Sequence, residues 1–173
     1  EEAHTAYGVA HTLFSTLEDG SGQADAGMNM GIALRHLGNY ADAEARLQDA
    51  LMASTDPRSK ADAHLNLALL YQDLGDIEEA EAAYGAALKQ AQDLKDVGRQ
   101  AGILLNLGTL AHENGHHELA RKRYDRAEDA FREVGREADA RVCVLNRARL
   151  DGSVPALKRL IELGRADGQK HLE

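Results

Sequence analysis

Apolar positions along this chain come in a fixed order of small, large and small. Ala43, Ala80 and Ala120 are followed four and seven residues later by Leu47 and Ala50, Tyr84 and Ala87, and Tyr124 and Ala127. In a helix of about 3.6 residues per turn those three positions fall on one stripe. A second small position precedes each stripe, in the pairs Met30-Gly31, Leu67-Ala68 and Leu107-Gly108. Glycine inside a helix costs about 1 kcal/mol relative to alanine. Its use at the same frame position twice implies that another helix passes close by.

Between the two small positions lies a breaker segment that repeats in frame: Leu37-Gly38-Asn39-Tyr40-Ala41-Asp42-Ala43, Leu74-Gly75-Asp76-Ile77-Glu78-Glu79-Ala80, Asn114-Gly115-His116-His117-Glu118-Leu119-Ala120, and a looser Leu150-Asp151-Gly152-Ser153-Val154-Pro155-Ala156. Each reads as a tight turn between two helices, with Gly taking the left-handed position after the first. At the N-terminus, Glu1-Glu2-Ala3 and Ala6-Tyr7-Gly8-Val9-Ala10 match Glu78-Glu79-Ala80 and Ala83-Tyr84-Gly85-Ala86-Ala87, so the chain is expected to open on the second helix of a repeat. The frame positions Ala10, Ala50, Ala87, Ala127 and Leu163 are separated by 40, 37, 40 and 36 residues. Asp19-Gly20-Ser21-Gly22, Asp56-Pro57, Val97-Gly98 and Val134-Gly135 are the expected connectors.

These spacings predict an all-α chain of stacked helix hairpins, about nine helices in all. The expected units are an incomplete repeat at 1–20, repeats at 23–56, 57–96 and 98–135, and a degenerate or capping repeat at 136–168. The last has Cys143-Val144 at the close-packing pair and Leu163 where Ala is expected. A chain that starts mid-repeat and without Met is expected to be part of a larger array.

The pattern of small residue, Gly, Ala, aromatic and Ala resembles the tetratricopeptide repeat, closely over residues 1–135 and more weakly to about 166. The period exceeds the family's usual value of about 34. In this it is similar to the longer-repeat branch of kinesin light chains, Leu-Gly-Asn spindle adaptors and the helical domains of bacterial regulators. The resemblance implies a right-handed α-α superhelix that binds a protein or an extended peptide in its concave groove, without cofactors.

Periodicity sets Leu67, Ala68 and Tyr71 on the hairpin core and leaves Asp62, Leu65, Asn66, Leu69, Gln72 and Asp73 on an adjoining face. The resemblance makes that face the ligand wall. Its equivalents are Met28, Asn29, Ile32, Arg35 and His36, then Leu105, Asn106, Thr109, His112 and Glu113. Asn29, Asn66 and Asn106 share one frame position, and an amide can both donate to and accept from a peptide main chain. In longer-repeat relatives such asparagines hold a partner's backbone, the role implied for these three. Carboxylate-clamp relatives carry a Lys before the Asn. Here Met28, Leu65 and Leu105 stand there, which disfavours an acidic C-terminus as ligand.

Charge alters this picture little. Of a net −9, residues 1–98 hold 6 basic and 17 acidic groups, and residues 99–173 hold 14 and 12. An acidic chain repels phosphate backbones, so nucleic acid is a poor partner, and the charges are expected on solvated outer helix faces. The one cysteine, Cys143, lies among Val142, Val144 and Leu145 and reads as a buried small hydrophobe in a reducing, cytoplasmic setting. No apolar run is long enough to span a bilayer.

His112-Glu113-Asn114-Gly115-His116 satisfies the H-E-x-x-H pattern of zinc peptidases. That chemistry needs both histidines on one unbroken helix, whereas Gly115 sits at the repeat turn, so no metal and no enzymatic activity are assigned. Two other roles remain open: a homodimer through a terminal helix, or the sensor segment of a larger signalling or transcriptional regulator.

Overall fold

The structure, a computed structural model, describes residues 20–152, and among these it is helical between short turns. Seven helices follow in order: α1 (Gly20–His36), α2 (Tyr40–Ala53), α3 (Pro57–Leu74), α4 (Ile77–Asp93), α5 (Val97–Glu113), α6 (His117–Glu133) and α7 (Glu137–Leu150). The expected helices at 1–20 and after Pro155 lie outside the described residues. The chain divides into two compact units, Glu1–Asp96 with α1–α4 and Val97–Glu173 with α5–α7.

Within the first unit each helix packs on the next, and α1 also touches α3; within the second, α5 packs on α6, α6 on α7, and α5 touches α7. Contacts between both nearest and next-nearest helices are what a stack of hairpins requires. Within the first unit α4 packs on α3 and buries one stripe of Ala80, Tyr84, Ala87 and Ala91. In the second unit α5 packs on α6, also touches α7, and buries a wider arc of Ala101, Ile103, Leu104, Leu107, Gly108, Leu110 and Ala111.

Hairpins close where a side chain is missing. A Cβ added to Gly108 would sit 2.6 Å from Cε1 and 2.7 Å from Cδ1 of Tyr124, which is fully buried. At Gly31 it would meet Leu47 Cγ at 2.7 Å and the Ala43 carbonyl oxygen at 3.2 Å. The middle hairpin tolerates Ala68 at this position, fully buried. The hydroxyl directions of the facing tyrosines differ in step. Tyr124 donates to Thr109 Oγ1 at 3.4 Å, next to Gly108, while Tyr84 donates to Gln72 Oε1 at 2.9 Å, one turn beyond Ala68.

The described turns share one hydrogen-bond scheme, except the one after α2, where Ser54 is extended. After α3, Gly75 adopts φ +81° and donates to Gln72 O at 3.1 Å, while Asp76 donates to Tyr71 O at 2.9 Å. This caps the last carbonyls with a left-handed residue. The turn between α4 and α5 repeats the scheme with a lysine: Lys95 has φ 54°. Sequence spacing puts that connector at Val97-Gly98, but both residues lie in the first turn of α5 and the break is at Leu94–Asp96. The ladder needs only a residue in the left-handed region, and Lys95 occupies it at a conformational cost. Likewise Gly20 to Gly22 lie within α1. At α3, Asp56 caps the helix by accepting from Ser59 N at 3.0 Å, with Pro57 as the first helical residue.

Gly108→Ala is expected to lower thermal stability, since overpacking against Tyr124, at about 1–3 kcal/mol, outweighs about 1 kcal/mol of helix propensity. Gly85→Ala in α4, where an added Cβ meets nothing within 4 Å, is expected to raise it. Lys95→Gly is expected to add about 1 kcal/mol by removing the left-handed penalty. Urea unfolding of the three variants beside the parent checks both signs.

Candidate functional site

The face named by the sequence is divided between the two units. In the first unit, α1 contributes Met28, Asn29, Ile32, Arg35 and His36, and α3 contributes Leu65, Asn66, Leu69, Gln72 and Asp73. Contact between α1 and α3 brings these two rows side by side. A direct link is the ion pair of Arg35 Nη1 with Asp73 Oδ2 at 3.6 Å, the arginine side chain 13% exposed and the aspartate 45%. Met28, Ile32, Leu65 and Leu69 are all half-buried, so each keeps an accessible edge. Asn29 is exposed and Asn66 half-buried.

Some of these groups are already engaged. Asn66 Nδ2 donates to the Asp62 carbonyl one turn back at 2.9 Å, leaving its side-chain oxygen pointing elsewhere. Gln72 accepts from Tyr84, so the residue expected on the ligand wall also steadies its own hairpin. Met28 packs against the core of Met30, Leu34, Ala43, Leu47, Leu67 and Leu70. A helix held by two neighbours keeps only a narrow free strip, and single-helix periodicity cannot show how narrow.

In the second unit, Leu105, Asn106, Thr109 and His112 lie on α5, all half-buried, with Glu113 exposed at its end. Thr109 Oγ1 donates to the Leu105 carbonyl at 3.1 Å. The ring of His112 meets that of His117 edge to face, with centroids 5.7 Å apart and planes at 63°. His112 and His116 are separated by the end of α5 and by Gly115 at φ +75°. They therefore do not share a helix face as a zinc peptidase needs.

One carboxylate departs from the expected solvated faces. Glu128 on α6 is 5% exposed and lies 2.9 Å from Arg147 on α7 and 2.5 Å from Arg132 on its own helix. Arg147 also pairs with Asp125, and Arg121 with Asp151. Arg136 covers the Phe131 ring at 4.9 Å. Glu128 takes the frame position of Leu51, and Arg147, five residues before the left-handed Gly152, that of Leu70, five before Gly75. In the first unit Leu70 belongs to the apolar core and Leu51 packs on it. An ion pair thus stands at α6–α7 where an apolar contact stands at α2–α3, a swap that reading each helix separately does not reveal.

Helices paired through small residues and repeated with left-handed turns define an α-hairpin repeat protein. Residues 59–133, from the first turn of α3 to the end of α6, match the family model of the tetratricopeptide repeat. Among solved structures, the crystal structure of BtubC (BKLC) from P. vanneervenii is similar, with a TM-score of 0.78 over 93% of this chain and 70% of that one. Identity is 18%, so the likeness is one of fold. No curated protein matches the chain in sequence. The tetratricopeptide family is typically a non-enzymatic scaffold for protein interaction. No helix among the described residues is long and apolar enough to cross a membrane.

Cys143 is fully buried on α7. Burial, with Glu128 and Asp139 nearby, pushes its thiol up from 9.0 to about 11. A thiol that ionises later in the folded chain supports folding fully below the unfolded value of 9.0, and that support is lost as pH rises towards about 11. Alkylation by iodoacetamide at neutral pH is expected to be at least about tenfold slower in the folded protein than in urea, because the thiolate is the reactive species. Equal rates would contradict this assignment.

Proposed function

We propose that this chain is a binding module for extended polypeptide segments, which lie along the first helices of the hairpins within a unit. The observation that carries this reading is the pairing of α1 with α3 through Arg35 and Asp73. It supports a shared strip on which Asn29 and Asn66 occupy one register among the reachable edges of Met28, Ile32, Leu65 and Leu69. The amides serve the ligand's main chain and the apolar edges take its side chains, which is how a repeat surface holds a peptide with little demand on sequence. In the second unit Asn106 has the same role on α5, with Leu105, Thr109 and His112 around it. BtubC offers a precedent for the fold only.

Each amide-to-backbone hydrogen bond contributes about 1 kcal/mol. Peptides selected from a displayed random library against the parent protein are therefore expected to bind Asn29→Ala/Asn66→Ala/Asn106→Ala at least about tenfold more weakly. Fluorescence anisotropy gives the affinities, and circular dichroism confirms that the variant is folded. Unchanged affinity in a folded variant would sink the reading.

A further inference from the structure

Arg35, on the first-unit strip, is balanced in charge but short of hydrogen bonds. Its side chain is 13% exposed, and a guanidinium can only donate. Nε is buried, and no described residue accepts a hydrogen bond from it. Asp73 faces the group at 3.6 Å, a distance that balances charge without making a hydrogen bond. The repeat frame explains the shortage. Gln72 holds the same position on α3, since each stands three residues before a left-handed glycine, Gly38 or Gly75. Gln72 is engaged by the Tyr84 hydroxyl of its own hairpin. In the α1–α2 hairpin the counterpart of Tyr84 is Leu47, which has no polar side-chain atom to offer. A buried N–H without an acceptor destabilises a folded chain, and a bound acceptor relieves that cost.

We infer that Arg35 anchors the main chain of a peptide on this strip, its guanidinium turning to a backbone carbonyl oxygen of the bound segment. This rests on the peptide-binding reading above and adds a donor to it. Asn66, with Nδ2 given to the Asp62 carbonyl, keeps its side-chain oxygen for a peptide N–H, and Arg35 supplies the complementary N–H for a carbonyl. A neutral carbonyl suits the site better than a carboxylate. Asp73 already neutralises the arginine, and residues 1–98 hold 17 acidic groups against 6 basic, so a further carboxylate meets net repulsion. The Asp73 side chain is 45% exposed, so the guanidinium can turn without leaving a buried charge behind.

The test takes one peptide selected against the parent from a displayed random library and remade in three forms, with its polar positions all Lys, all Ser or all Glu. Arg35→Met, which keeps the apolar stem and removes every side-chain N–H, is expected to bind each form at least about tenfold more weakly, by one common factor. Arg35→Lys, which keeps a charge opposite Asp73 but loses the Nε–H, is expected to show most of that loss. Lys89→Met, which removes one positive charge from an exposed position on α4, is expected to bind as the parent does. The urea midpoint of Arg35→Met is expected to equal or exceed that of the parent, because an unsatisfied donor is gone. A lower midpoint would mark Arg35 as a structural tie to Asp73 and overturn the inference, whatever the affinity. So would a loss confined to the Glu form, which reports a carboxylate contact, or an equal loss in Lys89→Met, which reports a diffuse charge effect. If both Arg35 variants bind as the parent does while Asn29→Ala/Asn66→Ala still weakens binding, the peptide-binding reading stands without this anchor. If the selection yields no binding peptide, both fall.

Discussion

The near-contact of paired helices at a position with almost no side chain governs this structure. Gly108 under Tyr124 and Gly31 under Leu47 leave less room than a methyl group needs. A large residue on the second helix can therefore be buried completely in a hairpin only a few residues wide. Interiors packed to crystal-like density feel changes of one methylene, so this contact holds the two helices to one separation and one rotation. With rotation set, the face that each first helix leaves uncovered follows.

From that contact the two helices of a hairpin acquire different work. The second helix buries one stripe under its partner and, in α2 and α6, a further edge against the helix that follows. The first is flanked by its partner and by the first helix of the adjoining hairpin, and keeps a narrow strip of half-buried residues. A strip of that kind suits a ligand because its apolar edges remain reachable without forming a wide exposed patch. Neighbouring hairpins can be joined by different chemistry while the hairpins themselves stay alike. Leu51 and Tyr71 join α2 to α3 through the apolar core, with the Tyr71 hydroxyl donating to Glu44 at 2.7 Å, whereas Glu128 and Arg147 join α6 to α7 as an ion pair. A buried pair of that kind is worth little net stability but punishes the loss of one partner, and so favours one arrangement over its alternatives.

Much of the hairpin is readable along the chain because its causes are local. The spacing of Ala43, Leu47 and Ala50, the glycines at the turns, and Asp56-Pro57 at the start of α3 each act within one or two helical turns, where sequence distance and spatial distance agree. The assignment of Tyr84 and Tyr124 to the packed stripe follows from the same spacing, and both are fully buried. The turn at Lys95 escaped that reading because a left-handed residue need not be glycine if the surrounding hydrogen bonds hold it there.

The sequence by itself determined the helical periodicity, the turns with their glycines, the small positions that let helices close, and the register of Asn29, Asn66 and Asn106. Only the tertiary structure decided that Met28 leans on the core, that Gln72 serves Tyr84, that Arg35 reaches Asp73, and that Glu128 is buried against Arg147. The division has a physical reason. Backbone conformation and stripe position are set by neighbours within a few residues, but the width of a free face and the partner of a charge depend on another helix a dozen or more residues away.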